Sequence, residues 1–206
     1  HAIHALPRRE NGLPAVTKVV LMGMGAPLAN YREVVPAMQI MLDDYALGLS
    51  RRRVPLRTSG LVPQIDQLAT SLAVSLHSPT NDLRDRLVPI NRRYPIEDLL
   101  SACWRYAEAH TKRHITFEYV MLKGVNDSSA EANALVRLLR GRPAKVNLIP
   151  FNPFPGTEFE RSSNSAIDRF QNILRKHDLT TTGRRTRGDD IDAACGQLSG
   201  IVTDRV

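Results

Sequence analysis

The sequence predicts an α/β fold, an open or partial (β/α) barrel, and three observations carry that expectation. Apolar, β-branched-rich runs recur along the chain, amphipathic stretches of helical period separate them, and nearly every run ends in a cluster of Gly, Pro, Ser or Asn. Near-continuous apolar runs suit strands buried on both faces, as in a parallel sheet flanked by helices. Strand and helix in alternation make the pattern of βα units, whose ligands sit outside the C-terminal ends of the strands.

In chain order, residues 1–15 read as a poorly ordered leader and residues 16–206 as one domain. Strands are expected at Lys18–Gly23, Val54–Ser59, Leu72–His77, Ile115–Leu122, Lys145–Pro150 and Leu179–Arg184. Helices are expected near Tyr31–Asp44, Ile96–His110, Ser129–Arg140 and Ser165–His177. Ser128 stands where a hydroxyl caps the third helix and Glu131 faces its dipole, while Gly141 and Pro143 stop it.

With 206 residues, 42% hydrophobic and 24% charged, the chain suffices for one sizeable core and is short for two. No apolar run reaches the roughly 20 residues of a membrane span, and the first residues lack the apolar centre of a secretory signal, so a cytoplasmic protein is expected. A formal charge of +7 tilts the reading towards a polyanionic partner. Two cysteines, Cys103 and Cys195, exclude a disulfide framework and an all-cysteine zinc site within the chain.

The strand-end clusters are Gly23-Met24-Gly25-Ala26-Pro27-Leu28, Thr58-Ser59-Gly60, Ser75-Leu76-His77, Asn126-Asp127 and Asn152-Pro153-Phe154-Pro155-Gly156. Each alone is an ordinary βα turn. Five converging on one mouth point to a ligand site, where glycine admits backbone contact and Ser, His and Asn supply hydrogen bonds. After the last strand, Cys195 lies among Ala193, Ala194 and Gly196, close to Arg184, Arg185 and Arg187. Small neighbours and nearby cations suit a reactive thiolate, although an isolated cysteine is more often buried and structural. Cys103, at helical spacing from Leu99, Leu100 and Ala107, should face the core.

Several blocks together resemble the radical S-adenosylmethionine (SAM) dual-specificity RNA methyltransferases that act on adenine C2. They are Val88-Pro89-Ile90-Asn91, Glu118-Tyr119-Val120-Met121-Leu122 with Val125-Asn126-Asp127, Asn147-Leu148-Ile149-Pro150-Phe151-Asn152-Pro153-Phe154-Pro155-Gly156, and Gly188-Asp189-Asp190-Ile191-Asp192-Ala193-Ala194-Cys195-Gly196-Gln197-Leu198. The resemblance runs from about Val16 to the end. A sister branch methylates adenine C8, and Thr186-Arg187-Gly188-Asp189 with the Asn152 block resembles the C2 branch.

The resemblance implies a radical SAM barrel, incomplete in this chain. It implies SAM and a [4Fe-4S] cluster as cofactors, 23S ribosomal RNA and transfer RNA as partners, an electron donor such as flavodoxin, and a monomer. Cys195 matches the cysteine that carries the methyl group as a thioether before a carbon radical delivers it to adenine. Gly25, Ala26, Arg57, Ser75, Leu76, His77 and Asn152 fall at SAM-binding positions, and Arg184, Arg185 and Arg187 lie where RNA would arrive.

Four departures accompany it. The C-x3-C-x2-C cluster motif and the upstream partner of Cys195 are not in the sequence, which leads us to expect that the first barrel strand and an N-terminal accessory domain are missing. Ala26 stands where the family has a glutamate for the ammonium of SAM. Arg57 replaces a small hydroxyl residue, with Pro55 weakening the same strand. The segment between Leu68 and Leu72 is about four residues shorter than the family usually shows. Two other readings stay open at this point: a non-catalytic remnant that keeps some RNA binding, and an unrelated (β/α) enzyme for a phosphorylated metabolite, which would need a stronger phosphate loop than Gly23–Pro27 offers.

Overall fold

A computed structural model describes residues 16–21, 27–68, 71–110, 114–154 and 156–183. Five strands, β1 (Leu56–Thr58), β2 (Leu72–Ser75), β3 (Ile115–Met121), β4 (Ala144–Pro150) and β5 (Thr180–Gly183), form one sheet in sequence order with every neighbouring pair parallel. Parallel neighbours need crossover connections, and helices supply them here. Helix α1 (Tyr31–Leu42) precedes β1, α2 (Val62–Ile65) joins β1 to β2, and α3 (Asn81–Leu87) with α4 (Ile96–Ala109) joins β2 to β3. Helices α5 (Ser129–Leu139) and α6 (Asn164–Lys176) complete the last two crossings.

Of the expected strand Lys18–Gly23, the described residues form one parallel bridge, Leu21 to Leu56, and Val19 N–H donates to the Arg53 carbonyl at 2.8 Å. Residues 22 and 23 and the leader 1–15 lie outside the described set. Pro55 has no N–H to give, and regular pairing starts only at Leu56, which leaves β1 three residues long. Although the segment before β2 is short, β2 enters in parallel register with β1, Leu56 opposite Leu72. The sequence reading missed α2 and α3, both of which lack an apolar stripe long enough to show a period.

One face of the sheet is apolar and covered. Leu56, Val74, Phe117, Tyr119, Val146 and Leu148 are fully enclosed in a core that α4 completes with Leu99, Cys103 and Tyr106. Trp104 of α4 sets its edge on Phe117 at 5.8 Å between centroids, and Phe170 of α6 meets Tyr119 at 5.2 Å. Each large apolar side chain so buried contributes about 1.5–3 kcal/mol. Ser128 caps α5 as expected, accepting from the N–H groups of Ala130 (3.1 Å) and Glu131 (3.4 Å), and its hydroxyl also bonds the Glu131 carboxylate. The chain leaves that helix through Gly141 at φ 73°, a conformation glycine adopts without strain.

Successive strand residues point to opposite faces, so the other face carries the alternate positions. Register aligns Ser75, Glu118, Asn147 and Thr182 in a row across β2 to β5, with Arg57 on the neighbouring strand. This polar row lines the concave side of the partial barrel.

Candidate functional site

The polar row and the loops at the C-terminal ends of the strands make up the candidate site. After β1, the Thr58 hydroxyl accepts from Gly60 N–H (3.0 Å) and Leu61 N–H (3.3 Å), and Gly60 takes φ 124°. A side chain there would be strained, so the loop needs glycine. On the concave side Arg57 donates to Glu118 at 2.7 Å, and Glu118 is only 4% exposed. That pair spans β1 and β3 over the intervening β2. Thr182 Oγ1 donates to Asn147 Oδ1 at 3.1 Å farther along the row.

The end of β2 carries the Ser75-Leu76-His77 block. Leu76 sends its side chain into the core, so only its main chain is available to a ligand. His77 takes φ 59°, uncommon for a side-chain-bearing residue and characteristic of over-determined functional loops. Its Nδ1 accepts from Val120 N–H at 3.2 Å, so the neutral ring carries its proton on Nε2. Burial, reinforced by the Arg84 charge and opposed by a backbone hydrogen bond with Glu118, lowers the His77 pKa to about 4. At neutral pH His77 is therefore an uncharged hydrogen-bond donor.

Two polar motifs hold these loops from behind. Asn126 is fully buried, donates to the carbonyls of His77 (2.9 Å) and Val120 (2.7 Å), and accepts from Leu122 N–H (2.8 Å). It thus locks the β2 and β3 ends together. Asn91 accepts from Arg84 Nη1 at 2.7 Å and donates to Asn81 Oδ1 (3.0 Å) and Asp85 Oδ1 (2.6 Å). Beyond β4, Asn152 is half-buried in a loop tied by edge-to-face contacts of Phe151 with Phe154 (6.1 Å) and Phe159 (6.4 Å).

Of the residues singled out from sequence, Arg57, Ser75, Leu76, His77 and Asn152 lie at the C-terminal halves or ends of strands on this one side of the sheet. Gly25, Ala26, Arg184, Arg185, Arg187 and Cys195 lie outside the described residues. Cys103 is fully enclosed, and burial pushes its thiol up to about 12, the state of an inert core cysteine. The sequence reading missed the roles of Glu118 and Arg84. Glu118 left a signal, a lone carboxylate inside an apolar strand; Arg84 left none.

The description Radical SAM superfamily matches residues 10–135, more than half of the chain. The chain belongs to that superfamily. Two curated relatives, each named dual-specificity RNA methyltransferase RlmN, come from Francisella tularensis subsp. novicida (strain U112) and subsp. tularensis (strain WY96-3418). Each is 56% identical over 196 residues, 92% of this chain and 53% of the relative. The chain thus spans about half the length of the curated relatives it matches.

Among solved structures, a radical SAM methyltransferase from Sphaerobacter thermophilus superposes with a TM-score of 0.83 at 49% identity, covering 88% of this chain and 54% of that one. A domain of a pyruvate-formate lyase-activating enzyme from Bacteroides vulgatus ATCC 8482 aligns at TM-score 0.59 and 16% identity, covering 82% of this chain and 99% of that one, and shows the shared fold alone. The five-stranded parallel sheet is thus a radical SAM-type α/β fold, partial relative to its longer homologues.

Superfamily membership implies SAM and a [4Fe-4S] cluster, and the residues present fit the two unequally. A polar concave row beside a neutral His77 matches the many donors and acceptors of SAM. The cluster is held by cysteine thiolates, and the 206 residues contain two cysteines, one of them sealed in the core. No cluster ligand set exists within this chain.

Proposed function

We propose that this chain is the SAM-binding and methyl-carrying portion of an RNA adenine-C2 methyltransferase. The observation that carries the reading is the 56% identity over 196 residues to proteins named dual-specificity RNA methyltransferase RlmN. SAM supplies the methyl group. Ser75 and the His77 Nε2–H offer hydrogen bonds at the end of β2, and Asn152 offers an amide from the β4 loop; Gly25, outside the described residues, has no side chain to bar a ligand. Cys195 would hold the methyl group on sulfur, with Arg184, Arg185 and Arg187 meeting RNA phosphates. Ribosomal and transfer RNA are the substrates this reading names.

A second reading, a homologue without its own catalysis, is favoured by the Arg57–Glu118 ion pair. Arg57 places a guanidinium across the concave row where a small hydroxyl would leave room, and Ala26 offers no carboxylate to an ammonium group. Both residues should weaken SAM binding, since a charge-assisted hydrogen bond contributes about 1.5–3 kcal/mol.

Titration of SAM into the chain and into an Ala26→Glu, Arg57→Ser double variant tests the cofactor site, with affinity expected to rise at least about tenfold in the variant. In a longer chain that carries the C-x3-C-x2-C motif and has Ala26 replaced by Glu, incubation with methyl-labelled SAM and mass spectrometry of the Cys195 peptide tests the methyl carrier. No detectable SAM binding by either protein, or label on Cys103 rather than Cys195, defeats the reading.

A further inference from the structure

Arg84 lies on α3, a helix with no apolar stripe, and its side chain is completely enclosed. Among the described residues no carboxylate forms an ion pair with it. Its guanidinium instead donates to main-chain carbonyls at the ends of two adjacent strands: Nη2 to Ser59 (2.6 Å) and Ser75 (3.1 Å), and Nε to Leu76 (3.1 Å). Nη1 is fixed by Asn91 Oδ1 at 2.7 Å. Removing a charge from water without a directly paired carboxylate is costly, and these four acceptors offset it together with the nearby Asp85 charge. The loop after β1 lies against the group: a Cβ on Gly60 would stand 3.4 Å from Nη2, in van der Waals contact.

We propose that Arg84 is the positioning residue of the cofactor site: one guanidinium fixes the spacing of loops 58–60 and 75–77 and so aims Ser75 and His77 at the concave row. The inference rests on the SAM-binding reading above. Rigid fork geometry suits arginine to this task, since a lysine ammonium cannot reach three carbonyls and an amide along two edges. Among the described residues the charge that acts on His77 is Arg84 from α3, and the main-chain carbonyl of Glu118 on β3 accepts from His77 N–H at 3.3 Å. Arg84 remains protonated at neutral pH although burial lowers its pKa to about 10, so its charge also helps keep His77 neutral.

Nuclear magnetic resonance of the chain and its Arg84→Lys and Arg84→Met variants reads His77 titration without ligand and SAM affinity by shift perturbation. Arg84→Lys keeps the charge, so the His77 midpoint should stay while SAM affinity drops about tenfold. Arg84→Met removes the charge, and the His77 midpoint should rise, while burial, the larger cause, still holds it below the ordinary value. Wild-type SAM affinity in Arg84→Lys overturns the proposal, as does an unmoved His77 in a folded Arg84→Met protein. If Arg84→Met fails to fold, Arg84→Lys decides alone. Absence of SAM binding by the unaltered chain would count against the cofactor reading instead. Positioning is then judged by the ligand-free amide shifts of Gly60, Leu76 and His77, which must change in Arg84→Lys.

Discussion

His77 joins three constraints in one side chain: a left-handed backbone, an Nδ1 committed to the Val120 amide, and a pKa of about 4. The pH dependence follows with a definite sign. Above the ordinary pKa of 6.5 neither state binds the proton; between about 6.5 and about 4 the unfolded chain takes it up and the folded chain does not. Stability therefore falls as pH drops through that window, and His77 contributes no further loss below about 4. For a half-buried ring the loss should be about 2 kcal/mol. Urea unfolding at pH 7 and pH 4.5 measures it. A His77→Asn variant, whose side chain tolerates positive φ, should lose less stability between those pH values than the unaltered chain. An equal loss in both proteins would remove the titration from His77.

Helix boundaries obey local chemistry that can be tested element by element. The Ser128 hydroxyl accepts from two N–H groups that α5 cannot pair internally, and it donates its own proton to the Glu131 carboxylate. Ser128→Ala should lower stability by about 1 kcal/mol without touching the concave row, as read from the urea midpoint and unchanged SAM binding. This start was legible because capping depends on residues adjacent in sequence. Helix α3 was not, because its inward position is Arg84 rather than an apolar residue, so the Asn81–Leu87 stretch carries no hydrophobic period. Val88-Pro89-Ile90-Asn91 was legible as a motif but not as a role: the structure turns Asn91 towards Arg84, Asn81 and Asp85 rather than towards a ligand.

For the molecule as a whole, the cysteine inventory sets a limit that folding cannot relax. Reconstitution of the 206-residue chain with iron and sulfide should give no stoichiometric [4Fe-4S] cluster, because two cysteines cannot provide three thiolates and one is enclosed among core side chains. Iron analysis and visible absorption check this, and a stoichiometric cluster would refute it. The sheet itself is stabilised independently of any cofactor by its apolar face, where β2, β3 and β4 bury Val74, Phe117, Tyr119, Val146 and Leu148 against the helices.

Sequence by itself determined the five strands, helices α1, α4, α5 and α6, the caps of α5, the core placement of Cys103 and the polar clusters at the strand ends, because apolar period and turn chemistry are local properties. Only the tertiary structure decided that Arg57 reaches Glu118 across an intervening strand, that Asn126 ties His77 to β3, and that Arg84 holds two loops through main-chain carbonyls. Those contacts join residues distant in sequence, and their partners are set by the parallel register. Carbonyl acceptors in particular are identical at every residue, so no sequence pattern distinguishes the ones a buried guanidinium selects.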